Sequence, residues 1–356
     1  MLSFNFQSPG SMKPIFIKLF LFYALFFVVE GNAKTIFVKT DGKGNGESWE
    51  NALSNLQLAI GIATESDQIW VKTGIYYPTK TNNRQIPFLI DKSVQIFGGF
   101  SGSEKELKER DFEQFQTIIS GEIGDKTTLL DNSHNIFLID IEKGDIVLDG
   151  ITIQRGMANI SSNATDRKAS GAGIFYTSRG KKSSLWVSNC LFIDNQALYG
   201  GAISAFTLEG GDGTIHIENC VFQNNTAEIE GGAIYHLAAK GSKDLLEIQH
   251  TTFNQNIATF GGAIYHKADK GSISSPRVSF SDFAANIAYV RGSCIYNQLD
   301  DEETGSPLFI DCSFFENKET VGNAMGDSNN IQKSQNNADR MIIRPTLRAN
   351  SKRKVP

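Results

Sequence analysis

Residues 189–203 read NCLFIDNQALYGGAI, residues 219–234 read NCVFQNNTAEIEGGAI, and residues 250–264 read HTTFNQNIATFGGAI. Two signatures run through them in phase. F-x-x-N begins at Phe192, Phe222, Phe253, Phe283 and Phe314, at spacings of 30, 31, 30 and 31 residues, and closes on Asn195, Asn225, Asn256, Asn286 and Asn317. G-G-A-I begins at Gly200, Gly231 and Gly261. It decays to Gly292-Ser293-Cys294-Ile295 and Gly322-Asn323-Ala324-Met325, and has an imperfect first copy at Gly171-Ala172-Gly173-Ile174. Two motifs that keep phase over so many copies define a repeat.

Side chains alternate along an extended chain, so Cys190 and Phe192 share one face while Asn189 and Leu191 share the other. The equivalent pairs Cys220/Phe222, Thr251/Phe253, Ser281/Phe283 and Cys312/Phe314 each join a small residue to an aromatic one, as the inside of a narrow core requires. Leu191, Val221, Thr252, Asp282 and Ser313 are too mixed to be inside. The Asn is expected to end its strand at a left-handed turn, with its amide free to bond the next coil. The paired glycines supply backbone angles closed to other residues and permit close approach of chains. Ile203 and its successors then open the next inward row. Stacked coils would place like residues about 4.8 Å apart. The expected fold is all-β: a single right-handed parallel β-helix. A helix-pair repeat needs 3.6-residue periodicity with few glycines, and a propeller blade needs about 40–45 residues.

Upstream, the pattern is less regular. Trp49, Ala52, Leu53, Leu56, Ala59, Ile60 and Ala63 recur at helical spacing with Ser48 as the expected N-cap. This one N-terminal helix is expected to cap the open first coil, whose backbone groups would otherwise be unpaired. Strand-like pieces fall at 35–38, 68–72, 74–78, 94–97, 117–120, 136–141 and 146–153, and the polar stretch 101–116 reads as an excursion. The start of the chain has the form of a secretory leader: Lys13 and Lys18, an apolar run over 19–29, then Gly31-Asn32-Ala33. The expected organisation is a signal peptide over 1–33 and a β-helix over 34–326. Within the latter, 34–75 form the cap and first coil and 171–326 the motif-bearing repeats. A polar tail over 327–356, with seven Lys/Arg against one Asp from 331 onward, is expected to be disordered.

A formal charge of −5 gives no reason to expect nucleic acid as a partner. Four cysteines are too few for a disulfide scaffold. Cys190, Cys220 and Cys312 share one inward phase and Cys294 replaces an alanine. They read as buried small residues, with a disulfide the next alternative. His236, His266 and Asn297 form a row in which adjoining imidazoles could meet a metal or a carboxylate, or simply stack as a structural ladder. Hydrolysis would need paired carboxylates in a groove, and a lyase a base beside a charge-neutralising group. Asp149, Arg155, Glu228, Glu230 and Arg291 are available but follow no convergent pattern. No catalytic, cofactor-binding or metal residue is assigned from the sequence.

The pair F-x-x-N and G-G-A-I, over 171–326, resembles the repeat of chlamydial polymorphic outer membrane proteins. The opening, with Ser48-Trp49, Asn51-Ala52, Ile69-Trp70-Val71 and Gly74-Ile75-Tyr76, is similar to secreted bacterial β-helix proteins. The resemblance implies an exported passenger at the cell surface or outside the cell, with glycans or cell-surface components as partners and adhesion as its function. Those proteins carry a C-terminal transporter barrel, for which the stretch after Gly326 leaves no room, so a fragment or a freely secreted form is expected. The competing expectation is a carbohydrate-active enzyme, a polysaccharide lyase or glycoside hydrolase, on the same scaffold.

Overall fold

A computed structural model describes residues 33–180, 182–269, 271–299, 307–320 and 331–333. The leader expected over 1–33, but for Ala33, and most of the tail expected over 327–356 lie outside the described residues. The chain winds through four sheets in which every strand pairing is parallel. Strand Lys182–Ser188 belongs to a first, 10-stranded sheet, Leu191–Ile193 to a second of eight, Gln196–Tyr199 to a third of six, and Ile203–Leu208 to a fourth of eight. The next strand, Asp212–Glu218, then returns to pair with Lys182–Ser188. The fold is a parallel β-solenoid of about nine turns. Crossovers between parallel strands wind right-handed because the strands themselves twist that way.

The interior is a set of ladders. Phe192, Phe222, Phe253, Phe283 and Phe314 stand in register, with successive ring centroids 4.6, 4.9, 4.8 and 5.2 Å apart. Ile203, Ile234, Ile264 and Ile295 form the inner row of the fourth sheet, and Leu185, Ile215 and Leu246 one of the first. Burial of such side chains stabilises by roughly 1.5–3 kcal/mol each, and the like-on-like stacking keeps the volume per layer constant.

The corners show where the turn conformation sits. Left-handed angles fall one residue before the expected asparagine, at Asp194, Asn224, Gln255, Ala285 and Glu316. The asparagines themselves point inward. Asn195 Nδ2 donates to Asn225 Oδ1 at 3.0 Å, and the chain of amides continues through Asn256 and Asn286 to Asn317 at 3.1, 2.9 and 2.9 Å. Each Nδ2 also donates to a backbone carbonyl, Phe192 O from Asn225 and Phe222 O from Asn256, at 3.0 Å. The expectation of a left-handed Asn is therefore corrected: enclosure of the amide, not tolerance of positive φ, places Asn here.

A second left-handed corner precedes the small inward residue, at Asn189, Asn219, His250, Phe280 and Asp311. Cys190 Sγ, Cys220 Sγ, Thr251 Oγ1, Ser281 Oγ and Cys312 Sγ each donate to the carbonyl two residues back. Thiol and hydroxyl are thus interchangeable, because what the corner needs is a short donor. The glycine pair divides its work. Gly231 adopts φ +69°, and a Cβ on Gly232 would lie 2.1 Å from Gly262 O.

At the N-terminal end the helix is shorter than the periodicity suggests. It spans Leu56–Ile62, with Asn55 as its N-cap accepting from Leu58 N. Ser48 is not the cap. Residues 44–53 instead lend their backbone to the first strand and the residue after it, through Phe37 N to Gly46 O, Leu53 N to Phe37 O and Lys39 N to Leu53 O, with Gly44 N to Ala52 O closing the loop on itself. Trp49 joins an aromatic cluster with Phe37, Trp70 and Phe100. The helix caps the stack with Leu56, Ala59 and Ile60, which join the main core, and with one polar side chain at the edge. Gln57 accepts from Leu89 N and donates to Leu89 O, pairing the free edge of strand Phe88–Ile90 as a backbone would.

The excursion over 101–116 is pinned back by Arg110, which pairs with Asp149 at 2.7 Å. At the other end Ile331–Lys333 pairs with Ile295, Tyr296 and Asn297, so the fourth sheet runs on into the stretch read as tail.

Asn256→Ala removes bonds to Asn225, Asn286 and the Phe222 carbonyl, leaving enclosed partners unpaired. It is expected to cost about 3 kcal/mol or more, whereas Thr252→Ala, on the outer face of the same coil, should cost within about 0.5 kcal/mol. Urea unfolding of both variants checks this ordering.

Candidate functional site

Because the left-handed corner residues precede the buried Asn, their side chains point outward, and the third sheet begins immediately after. This geometry makes a groove along the corner between the second and third sheets. Asn224, Gln255, Ala285 and Glu316 form one wall, and Thr226, Ile257, Ile287 and Lys318 the other, around a depression of about 420 Å³. A second depression of about 380 Å³ shares Thr226 and continues past Gln196 and Leu198 to Met157 and Asn159, with Glu228, Thr259 and Tyr289 at its side. Together they follow the six strands of the third sheet from Met157–Ala158 to Lys318–Glu319. At one coil per strand spacing, that is about 24 Å along the axis.

The same two positions line it in each coil, but the side chains change: Asn224 with Thr226, Gln255 with Ile257, Ala285 with Ile287 and Glu316 with Lys318. Glu316 and Lys318 offset one another, so the groove has little net charge. Such a surface suits an elongated neutral ligand rich in hydroxyl or amide groups lying parallel to the axis. Beside it, burial raises the Glu230 carboxyl above its ordinary range, against hydrogen bonding from Tyr265.

The charged residues considered for catalysis are dispersed. Asp149 is bound by Arg110 and by Asn189 Nδ2 at 2.9 Å, and Arg155 by Glu122 at 2.6 Å, both as clamps on loops. Glu228 lies at the groove. Glu230 and Arg291 occupy one row of the third sheet, separated by Phe260.

His236 and His266 are brought together, in the interior rather than on the surface. Their Nδ1 atoms are 2.9 Å apart, and His236 Nε2 lies 2.9 Å from Asp244 Oδ2. Asn297 follows in register. Asp244 is the residue that sequence reasoning missed. Its row partners are Gly213 and Ser274, so no repeat marks it. Among the described residues no group of three or more His, Cys, Asp and Glu could hold a metal ion.

Also missed was an outer row of the first sheet. Trp186 stacks on His216 at 3.6 Å, His216 Nδ1 meets Glu247 Oε2 at 3.0 Å, and Arg277 approaches Glu247 at 3.7 Å. Burial lowers the His216 pKa, with Glu247 opposing.

The Chlamydia polymorphic membrane protein (Chlamydia_PMP) repeat matches this chain at residues 219–236 and 250–267. Both segments run from the Asn or His corner through the buried Asn to the Tyr-His pair. The protein is thus a parallel β-solenoid carrying repeats of the polymorphic membrane protein type. No curated protein matches the sequence. Among solved structures, a pectin methylesterase from carrot is 11% identical over 85% of this chain and 89% of its own, with a TM-score of 0.36. That likeness is too loose to bear on chemistry. Among the described residues no helix is long and apolar enough to cross a membrane.

All four cysteines are free and enclosed, and burial pushes the Cys220, Cys294 and Cys312 thiols up. They should resist a thiol reagent in the folded protein and all react in denaturant. Labelling followed by mass measurement checks this, and a thiol that reacts at once in the native protein would contradict the placement.

Proposed function

We propose that the protein is an exported β-solenoid that acts by binding, as an adhesion passenger at the cell surface or outside the cell, and that its corner groove holds a glycan or another extended cell-surface component. The groove carries this reading, because equivalent positions line it over successive coils. A ligand that extends along the axis can make a contact at each coil, and weak contacts then add through multivalency. The match to a membrane-protein repeat and the leader-like first residues support display outside the cytoplasm.

The test uses the chain from Lys34 onward against immobilised neutral and acidic polysaccharides. Thr226→Arg, at the point shared by the two depressions, is expected to weaken binding at least about tenfold, a loss of ~1.4 kcal/mol, with unfolding unchanged. Binding unaffected by Thr226→Arg would remove the groove from consideration. Formation of reducing ends or unsaturated product, abolished by Glu230→Gln, would replace the binder with an enzyme. Recovery of native protein that keeps residues 19–29 in the cytosol would refute export.

A further inference from the structure

Solenoid interiors built from aliphatic and aromatic ladders have little place for charge, yet this one encloses two imidazoles and a carboxylate in contact. Strands Ile234–Ala238 and Ile264–Ala268 set His236 and His266 in register, and Lys243–Gln249 brings Asp244 from across the core. The side chains of His236 and Asp244 have no exposure, and His266 is likewise fully enclosed. The rings stack with centroids 5.0 Å apart. Thr207 Oγ1, Asp244 Oδ1, His266 Nε2, Ser274 Oγ and Asn297 Oδ1, all on the inner rows around this contact, have no protein partner.

The Nδ1 to Nδ1 contact is a hydrogen bond only while a single proton lies between the rings, since a neutral imidazole offers one N–H and one lone pair. His236 Nε2–H is directed to the Asp244 carboxylate. Protonating both imidazoles sets N–H against N–H and leaves two cations beside one carboxylate, without water to screen them. The titratable groups facing the contact from the packed strands are Asp244 and Tyr176. The Tyr176 hydroxyl is bonded to Ser183 Oγ at 2.8 Å, which in turn donates to Ser178 Oγ at 2.7 Å, so it offers the imidazoles no compensating charge.

We propose that His236, His266 and Asp244 form a proton-sensitive latch between two adjoining coils, closed at neutral pH and opened by acid. The same two coils supply Thr226 and Ile257 to the groove, so acid loosens the solenoid where its two depressions meet.

The sign follows from burial. His266 is held well below the ordinary histidine range, first by loss of solvent and then by the neighbouring imidazole. A group whose folded pKa is depressed contributes stability that is complete above its unfolded value, about 6.5, and is lost as pH falls from there toward the folded value. His134, enclosed beside Arg84 and pushed down to about 4, adds a loss of the same sign from another part of the chain. The experiment must separate the two.

His266→Asn does so, because Asn297 shows that the row accepts an amide. Urea unfolding at about pH 7.5 and about pH 5 is expected to show an acid loss in the unaltered protein that exceeds that of His266→Asn. The excess in the unfolding constant should be at least about tenfold, the equivalent of one pKa unit. In the unaltered protein, hydrogen-exchange protection factors should drop with acid first in Ile234–Ala238, Lys243–Gln249 and Ile264–Ala268. Equal acid loss in both proteins, or protection that falls evenly over all sheets, overturns the latch. Should the variant fail to fold, the exchange pattern of the unaltered protein decides alone.

Discussion

The interior chain of asparagine amides is the constraint on which the rest of this solenoid depends. Hydrophobic ladders supply most of the stabilisation, but they are non-directional, and a Phe stack alone would tolerate sliding of one coil over the next. The amide chain does not. From Asn225 to Asn317 each Oδ1 accepts both a side-chain and a backbone N–H from the preceding coil, as Asn225 Oδ1 does from Asn195, and Asn195 Oδ1 opens the chain by accepting from Gly156 N. A slip of one residue would turn every amide outward and strand those donors in the core, since side chains alternate faces with period two. Register, corner position and the direction of the left-handed residue before each Asn all follow from satisfying these groups.

This explains what the sequence makes legible. Phe192, Asn195 and Ile203 recur because a ladder demands the same residue type in each layer, so the inside of the solenoid is written as identity between repeats. What the sequence leaves hidden is of two kinds. Left-handed corners need a backbone conformation rather than a side chain, and Asp194, Gln255, Ala285 and Glu316 share no chemistry from which it could be read. The true start of the N-terminal helix is hidden for a different reason. Its apolar periodicity extends back to Trp49, but the first strand needs the backbone of residues 44–53, and tertiary pairing overrides local periodicity.

The interchange of Cys, Thr and Ser at one inward position is a third case. Read as packing, it says only that the residue is small. The structure adds that each is a short donor to the carbonyl two residues back. A disulfide is the alternative that four cysteines leave open, yet Cys190, Cys220 and Cys312 answer to corner chemistry, and parallel stacking leaves their side chains pointing alike rather than at one another. The candidate groove is invisible in the sequence for the same reason that it is possible. It is lined by the residues the ladders do not constrain.

That division locates chemistry on this scaffold. A position in the ladders has a structural duty in every coil, so its residue type carries no information about a ligand. Two classes of position escape. Outward corner and third-sheet residues must meet only a backbone requirement, and their side chains are free to differ from coil to coil, as Asn224, Gln255, Ala285 and Glu316 do. Inward positions that depart from the ladder are rarer and cost more. His236, His266 and Asp244 replace what aliphatic packing would fill more cheaply, since enclosed polar groups must find partners or destabilise the core. Variation outside is free, and specificity can accumulate there. A polar departure inside is tolerated only at a cost in stability, and a titratable one makes that cost depend on pH.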